Sequence, residues 1–210
     1  MSAMVPAAPE PALTDFGRKM IAGASFDSVR AHYEKQQELW KLTNEFTREL
    51  QEPITRSLHL VRYGALSDAS ASLEKARAVL ARAPAELVAA RPARPFRVVE
   101  CLEQLARAEH ALAFFTTGRV ASLEALRARG APLDDDEWLA GLLTFIGDLS
   151  QYATRRATAG DVASVRLCRG LADALQAKFV LFDFRNGPLR RKYDGLKYTV
   201  KRLEVSDTSK

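Results

Sequence analysis

Between residues 26 and 63, apolar side chains return at steps of three and four: Leu39, Leu42, Phe46, Leu50, Ile54, Leu58 and Val61. This is the period of one helix face, so a long helix is predicted here, kinked at Pro53. Gly64 and the pair Ser67-Asp68 punctuate it, and Leu73, Ala76 and Leu80 mark a second helix reaching about Arg82. After Pro84 and Pro92, a third helix opens near Pro95, because proline suits a first helical turn. It carries Val98, Val99, Leu102, Leu105, Leu112 and Phe115 and stops near Gly118. A short helix over 121–129 ends at Gly130, and the loop over 131–136 supplies acidic first-turn residues to a helix bearing Trp138, Leu142 and Phe145. Beyond the turn Thr158-Ala159-Gly160-Asp161, another helix carries Val165, Leu171, Leu175, Val180 and Leu181 until Asn186-Gly187-Pro188 breaks it. The last helix runs from about Leu189 to Val205 with Tyr193, Leu196, Val200 and Leu203 on one face.

No segment alternates with period two, and no internal repeat recurs. The fold class is therefore all-α, an antiparallel bundle of about seven helices whose broad faces also support self-association. Residues 1–14 are rich in alanine and proline and cannot bury a face; a disordered tail is expected there, ahead of a single helical domain over 15–210.

Composition removes whole classes of function. With 47% hydrophobic residues over 210 positions the chain can bury a core, yet it holds neither a membrane-length apolar run nor a secretory leader pattern. A soluble, non-secreted protein without a membrane partner is expected. Cys101 and Cys168 lie in separate helical patterns without a CxxC or a neighbouring histidine, which favours a reduced compartment. Phosphate-loop, dinucleotide, nucleophile-elbow and HExxH motifs are missing. His32, His59 and His110 each stand alone on a helical pattern, the usual state of structural or surface histidines.

The net charge is only +5, but the positive charges are clustered. Arg91, Arg94 and Arg97 occur with no acid before Glu100, and Phe96 sits among them. Guanidinium forks grip phosphate oxygens and an adjacent ring can stack on an unpaired base; the alternative is a solvated connection between helices. A second patch gathers Arg185, Arg190, Arg191, Lys192, Lys197, Lys201 and Arg202. On a helix Arg190, Lys197 and Lys201 fall near one line, with the tyrosines Tyr193 and Tyr198 read as packing residues.

In this last patch the string Leu189 to Arg202, and above all Tyr193-Asp194-Gly195-Leu196-Lys197-Tyr198, resembles the closing helix of the translin family. Trp138-Leu139-Ala140-Gly141, continuing through Gly147-Asp148-Leu149-Ser150 to Thr158-Ala159-Gly160-Asp161, resembles the family's central signature, and Pro84-Ala85-Glu86 its earlier loop. The likeness spans roughly residues 35 to 205. It implies a seven-helix protomer of a hollow octamer that binds single-stranded RNA or DNA with no cofactor. It also implies two branches: translin itself, and translin-associated factor X, whose inward-facing carboxylates hold a divalent metal and cut RNA. Their mixed assembly acts in RNA silencing and in trimming transfer-RNA precursors. The cytoplasm is the expected location, with the nucleus as the alternative.

Metal-assisted cleavage needs several carboxylates converging on Mg²⁺. In the catalytic branch two acids lie one turn apart where this chain has Thr144 and Asp148, so the first acid is absent. Glu100 and Glu103 keep the spacing of the other acids, and Glu109 follows. The resemblance therefore implies the translin branch, partnering a catalytic homologue. Asp148, Glu103, Glu100 and Glu109 are candidates should the chain instead be a Mg²⁺-dependent ribonuclease acting as a homo-oligomer; a purely structural adaptor is the third reading. Arg91, Arg94 and Arg97 match the family's basic nucleic-acid segment, although Pro92, Ala93 and Pro95 replace its histidines and tryptophan, and Arg56, Arg77 and Arg82 are the compensating cations.

Overall fold

The computed structural model describes residues 15–21, 23, 25–89 and 93–208. The expected tail over 1–14 lies outside them. The described residues form nine helices and no strand: α1 (Asp15–Met20), α2 (Phe26–Arg62), α3 (Leu66–Ala81), α4 (Ala85–Val88), α5 (Phe96–Thr117), α6 (Leu123–Ala128), α7 (Asp135–Thr158), α8 (Val162–Phe179) and α9 (Pro188–Thr208). None is long and apolar enough to cross a membrane. Seven are those expected; α1 and the single turn of α4 are additions too short for a periodic pattern to register.

By internal contacts the chain divides into two units, Met1–Lys41 and Leu42–Lys210. The first holds α1 and the opening turns of α2, whose Phe26, Val29, Tyr33, Leu39 and Trp40 are exposed. Leu39 was expected on the buried stripe; burial along α2 begins later, at Thr43, and its apolar part runs through Phe46, Leu50, Ile54 and Val61. Pro53 lies inside α2, so position 53 donates no backbone bond to the preceding turn.

In the second unit, residues 42–210, the core forms two clusters. Leu50, Ile54, Leu73, Leu102, Leu105 and Leu126 join α2, α3, α5 and α6, while Phe114, Phe145, Leu149, Cys168, Leu196 and Leu203 join α5, α7, α8 and α9. Helix α5 opens directly after Pro95 and closes on Gly118, whose φ of 71° suits a left-handed cap. Asp134 and Glu137 form a capping box at α7, and Asp161 caps α8 by accepting from the Ser164 amide. That bond, a second from the Ser164 hydroxyl at 2.7 Å and Arg156 beside them hold the Asp161 carboxyl down at about 2.

The α5–α7 contact is set by Gly141. A Cβ there would lie 2.6 Å from Ala106 Cβ, 2.7 Å from the Arg107 nitrogen and 2.8 Å from the Glu103 carbonyl oxygen. Only hydrogen fits, and the two backbones meet. Helix α8 ends at Phe179, so Val180 and Leu181, expected on its apolar face, are exposed at 65% and 79%. Both cysteines are buried and free, and burial pushes each thiol up to about 11.

Candidate nucleic-acid interface

The segment before α5 separates the arginines that the sequence groups together. Arg91 lies outside the described residues. Arg94 precedes the first helical turn and points inward: its side chain is 2% exposed and its guanidinium is bonded to the fully buried carboxylate of Glu137. It also donates to the carbonyls of Ala89 (2.9 Å) and Val88 (3.3 Å). Burial pushes the Glu137 carboxyl upward while Arg94 and the Asp134 amide pull it back. The expectation that Arg94 contacts nucleic acid meets this fact: its donors are spent on pinning α4 to the start of α7, out of reach of a ligand. Arg97, in the first turn of α5, is exposed and bonded to the Asn44 side-chain oxygen on α2.

That bond sits in a groove of about 810 Å³ along α2, lined by Asn44, Arg48, Gln51, Arg56, His59 and Arg97 among others. Glu52 is its acid. Arg56 also borders a second groove of about 320 Å³ that holds Lys75 and Arg82. The fold thus brings Arg56, Arg82 and Arg97 to adjoining grooves on α2, with Arg82 paired to Glu49. Arg48 and His59 were not singled out as binding residues, although their spacing at 48, 52, 56 and 59 already traces one polar helix face. Arg77, the other compensating cation, is buried against Glu109 and Glu74.

The cations of α9 do not line that groove. Lys197 and Lys201 are exposed, while Arg190 pairs with Asp194 at 3.1 Å and lies 5.6 Å from the centre of the Tyr193 ring. Tyr193 packs against Phe179 and Phe184, as read from the sequence. Tyr198 differs: it is 77% exposed, because α9 turns residues 196, 200 and 203 inward and leaves 198 on the far side.

Three of the four candidate carboxylates meet a cation of the chain itself. Lys192 on α9 reaches Glu103 at 3.1 Å and donates to the Thr144 hydroxyl at 3.3 Å. Arg107 grips Asp148 with two bonds, of 2.6 and 2.7 Å, and Arg62 approaches it at 4.0 Å. Glu109 is buried, bonded to Arg77 and 3.4 Å from Arg129; burial still pushes its carboxyl upward. Glu100 is exposed. No group of three or more histidine, cysteine, aspartate or glutamate side chains among the described residues is placed to hold a metal ion. The donors present therefore do not fit Mg²⁺, which needs several free carboxylate oxygens at once.

The helical order and these positions can be set against known proteins. The model of the Translin family matches residues 19–206. The chain belongs to the translin family. Translin from Gallus gallus is 38% identical over 85 residues, which is 40% of this chain and 37% of that relative. Translin from Homo sapiens is 34% identical over the same length. The match thus spans little more than a third of these translins. Among solved structures, apo-NeC3PO superposes with a TM-score of 0.72 at 15% identity, covering 88% of this chain and 96% of that one. The complex of AfC3PO with duplex RNA superposes with a TM-score of 0.65 at 20% identity, covering 87% and 94%. At such identities the likeness of these structures is one of fold, and it is the all-α translin fold that this chain shares.

Proposed function

We propose that this chain is a non-catalytic, single-stranded nucleic-acid-binding subunit of a translin-type oligomer. The observation that carries the reading is the convergence of Arg48, Arg56 and Arg97 on one open groove while Asp148, Glu103 and Glu109 are each engaged by a cation. Guanidinium groups that line a groove without a carboxylate bonded to them hold phosphates; neutralised carboxylates hold no metal. The duplex RNA on AfC3PO supports an RNA ligand for the family's fold. In this reading the protomers assemble into an octamer, and a catalytic homologue of the translin-associated factor X type supplies the nuclease centre. The assembly then serves RNA silencing and transfer-RNA trimming in the cytoplasm or nucleus. Arg190, Lys197 and Lys201 add a second, weaker phosphate contact.

The test incubates the purified chain with labelled single-stranded RNA in Mg²⁺ and follows binding and cleavage in parallel. Binding without cleavage is expected, with Arg56→Ala and Arg97→Ala each flattening the log-affinity against log-salt slope by about 0.7. Cleavage lost in Asp148→Ala would replace this reading with a homo-oligomeric nuclease, and no binding at low salt would leave only a structural adaptor.

A further inference from the structure

The α2 groove ends at His59, and one helical turn later the chain presents Tyr63, exposed at 76%. The two rings are 4.8 Å apart between centroids and inclined at 51°, so His59 steadies one side of the phenol ring while the rest of it is open. The backbone beneath is fixed. Tyr63 donates to the Leu60 carbonyl at 3.1 Å, and Gly64, at φ 76°, and Ala65 close the helix end on Val61 and Leu60, also at 3.1 Å. A left-handed residue directly after Tyr63 thus ends the helix there and turns the following chain away from it.

We propose that Tyr63, braced by His59, is a base-stacking platform at the end of this groove, taking one unpaired base of a single-stranded nucleic acid. The inference rests on the groove being the phosphate-binding surface proposed above. From Asn44 to Tyr63 the helix advances about 28 Å, so roughly eight stacked nucleotides at 3.4 Å each span it. Arg48, Arg56 and Arg97 then neutralise phosphates along the groove, and the ring at its end meets a base. An exposed aromatic beside aligned cations is the combination that sequence-tolerant single-strand binding uses. Phe96, also exposed, does not share this setting: in the cleft that it lines, about 690 Å³, Asp136 and Asp183 stand beside Arg185, whereas the α2 groove sets Glu52 against Arg48, Arg56 and Arg97.

The test measures binding of a short labelled oligoadenylate RNA and of an abasic strand of the same length across a salt series. Tyr63→Ala is expected to weaken the oligoadenylate by about 5- to 100-fold without changing the salt slope. Tyr63→Phe should restore affinity, and the abasic strand should bind wild type and Tyr63→Ala alike. An oligoadenylate affinity unchanged in Tyr63→Ala, with Arg56→Ala and Arg97→Ala still flattening the slope, overturns the platform and leaves the groove intact. Failure of the wild-type chain to bind either strand overturns both. Because Tyr63 is exposed and its backbone bonds survive substitution, an unfolded Tyr63→Ala is not expected, and circular dichroism checks it.

Discussion

Helix α7 contains two glycines of opposite meaning, and exchanging each for alanine gives a controlled measurement of the α5–α7 contact. At Gly147 an added methyl meets nothing within 4 Å, so the change removes only the conformational freedom that glycine loses on folding. A gain of about 0.5–1 kcal/mol follows. At Gly141 the same methyl arrives 2.6–2.8 Å from three atoms of α5, two of them backbone, where carbon contacts prefer about 3.5–4.0 Å. No side-chain rotation relieves this, so the helices must part by about 1 Å. Overpacking of that kind costs about 1–3 kcal/mol, and because backbone resists, the upper part of that range applies. After the helix-propensity gain of about 1 kcal/mol, Gly141→Ala should lose about 1–2 kcal/mol. For a chain of this size each kcal/mol moves Tm by about 2–4 °C, so the variants should separate in opposite directions around wild type. Thermal and urea unfolding followed by far-ultraviolet circular dichroism, at one fixed protein concentration, reads this directly. Gly141→Ala at or above the wild-type Tm would refute the close-approach argument, whatever Gly147→Ala does.

Other outcomes follow from the buried charges. His110 is fully buried against Trp138 and Phe145, and burial pulls its pKa down to about 4. The folded state keeps it neutral while the unfolded chain protonates near pH 6.5, so its contribution is whole above pH 6.5 and falls away toward pH 4 by about 3 kcal/mol. His110→Phe should flatten the stability curve in that window, and an unchanged slope would contradict the assignment. Asp161, held at about 2, contributes above pH 4 and loses its contribution as pH falls toward 2; Asp161→Asn should remove that later step from an acid titration. Arg94→Ala strands Glu137 and should cost about 3–5 kcal/mol, whereas Arg97→Ala, at the surface, should stay within about 0.5 kcal/mol; chemical denaturation that ranked them equally would deny the difference in burial. Millimolar Mg²⁺ should leave Tm unmoved, because Asp148 and Glu103 are engaged by Arg107 and Lys192; a clear rise would mean a bound ion.

The long helices were legible because each must bury a stripe, and Leu50, Ile54, Leu102, Leu105, Phe145, Leu196 and Leu203 kept the 3.6-residue period that burial demands. Their ends were legible where special chemistry marks them, as at Pro95, Gly118 and Asp161. Where it does not, tertiary packing decides: α8 stops at Phe179, before the apolar run that the period carries on to Leu181. The site was less legible, since its partners come from far along the chain. Nothing local distinguishes Arg94, turned toward Glu137 forty-three residues on, from Arg97, turned toward Asn44. Likewise Lys192 reads as one more cation of a basic helix until the fold sets it beside Glu103 and Thr144.

The division between Arg94 and Arg97 has a bearing on how such a segment is studied. Replacing all the arginines of a basic stretch together is a common way to ask whether it binds a polyanion. In this chain that replacement would withdraw the counter-charge of Glu137, loosen the start of α7 and remove a groove cation in a single step. Loss of binding would then report a damaged scaffold and a missing contact in unknown proportion. Single substitutions, with Arg94 treated as a folding control, keep the two quantities apart.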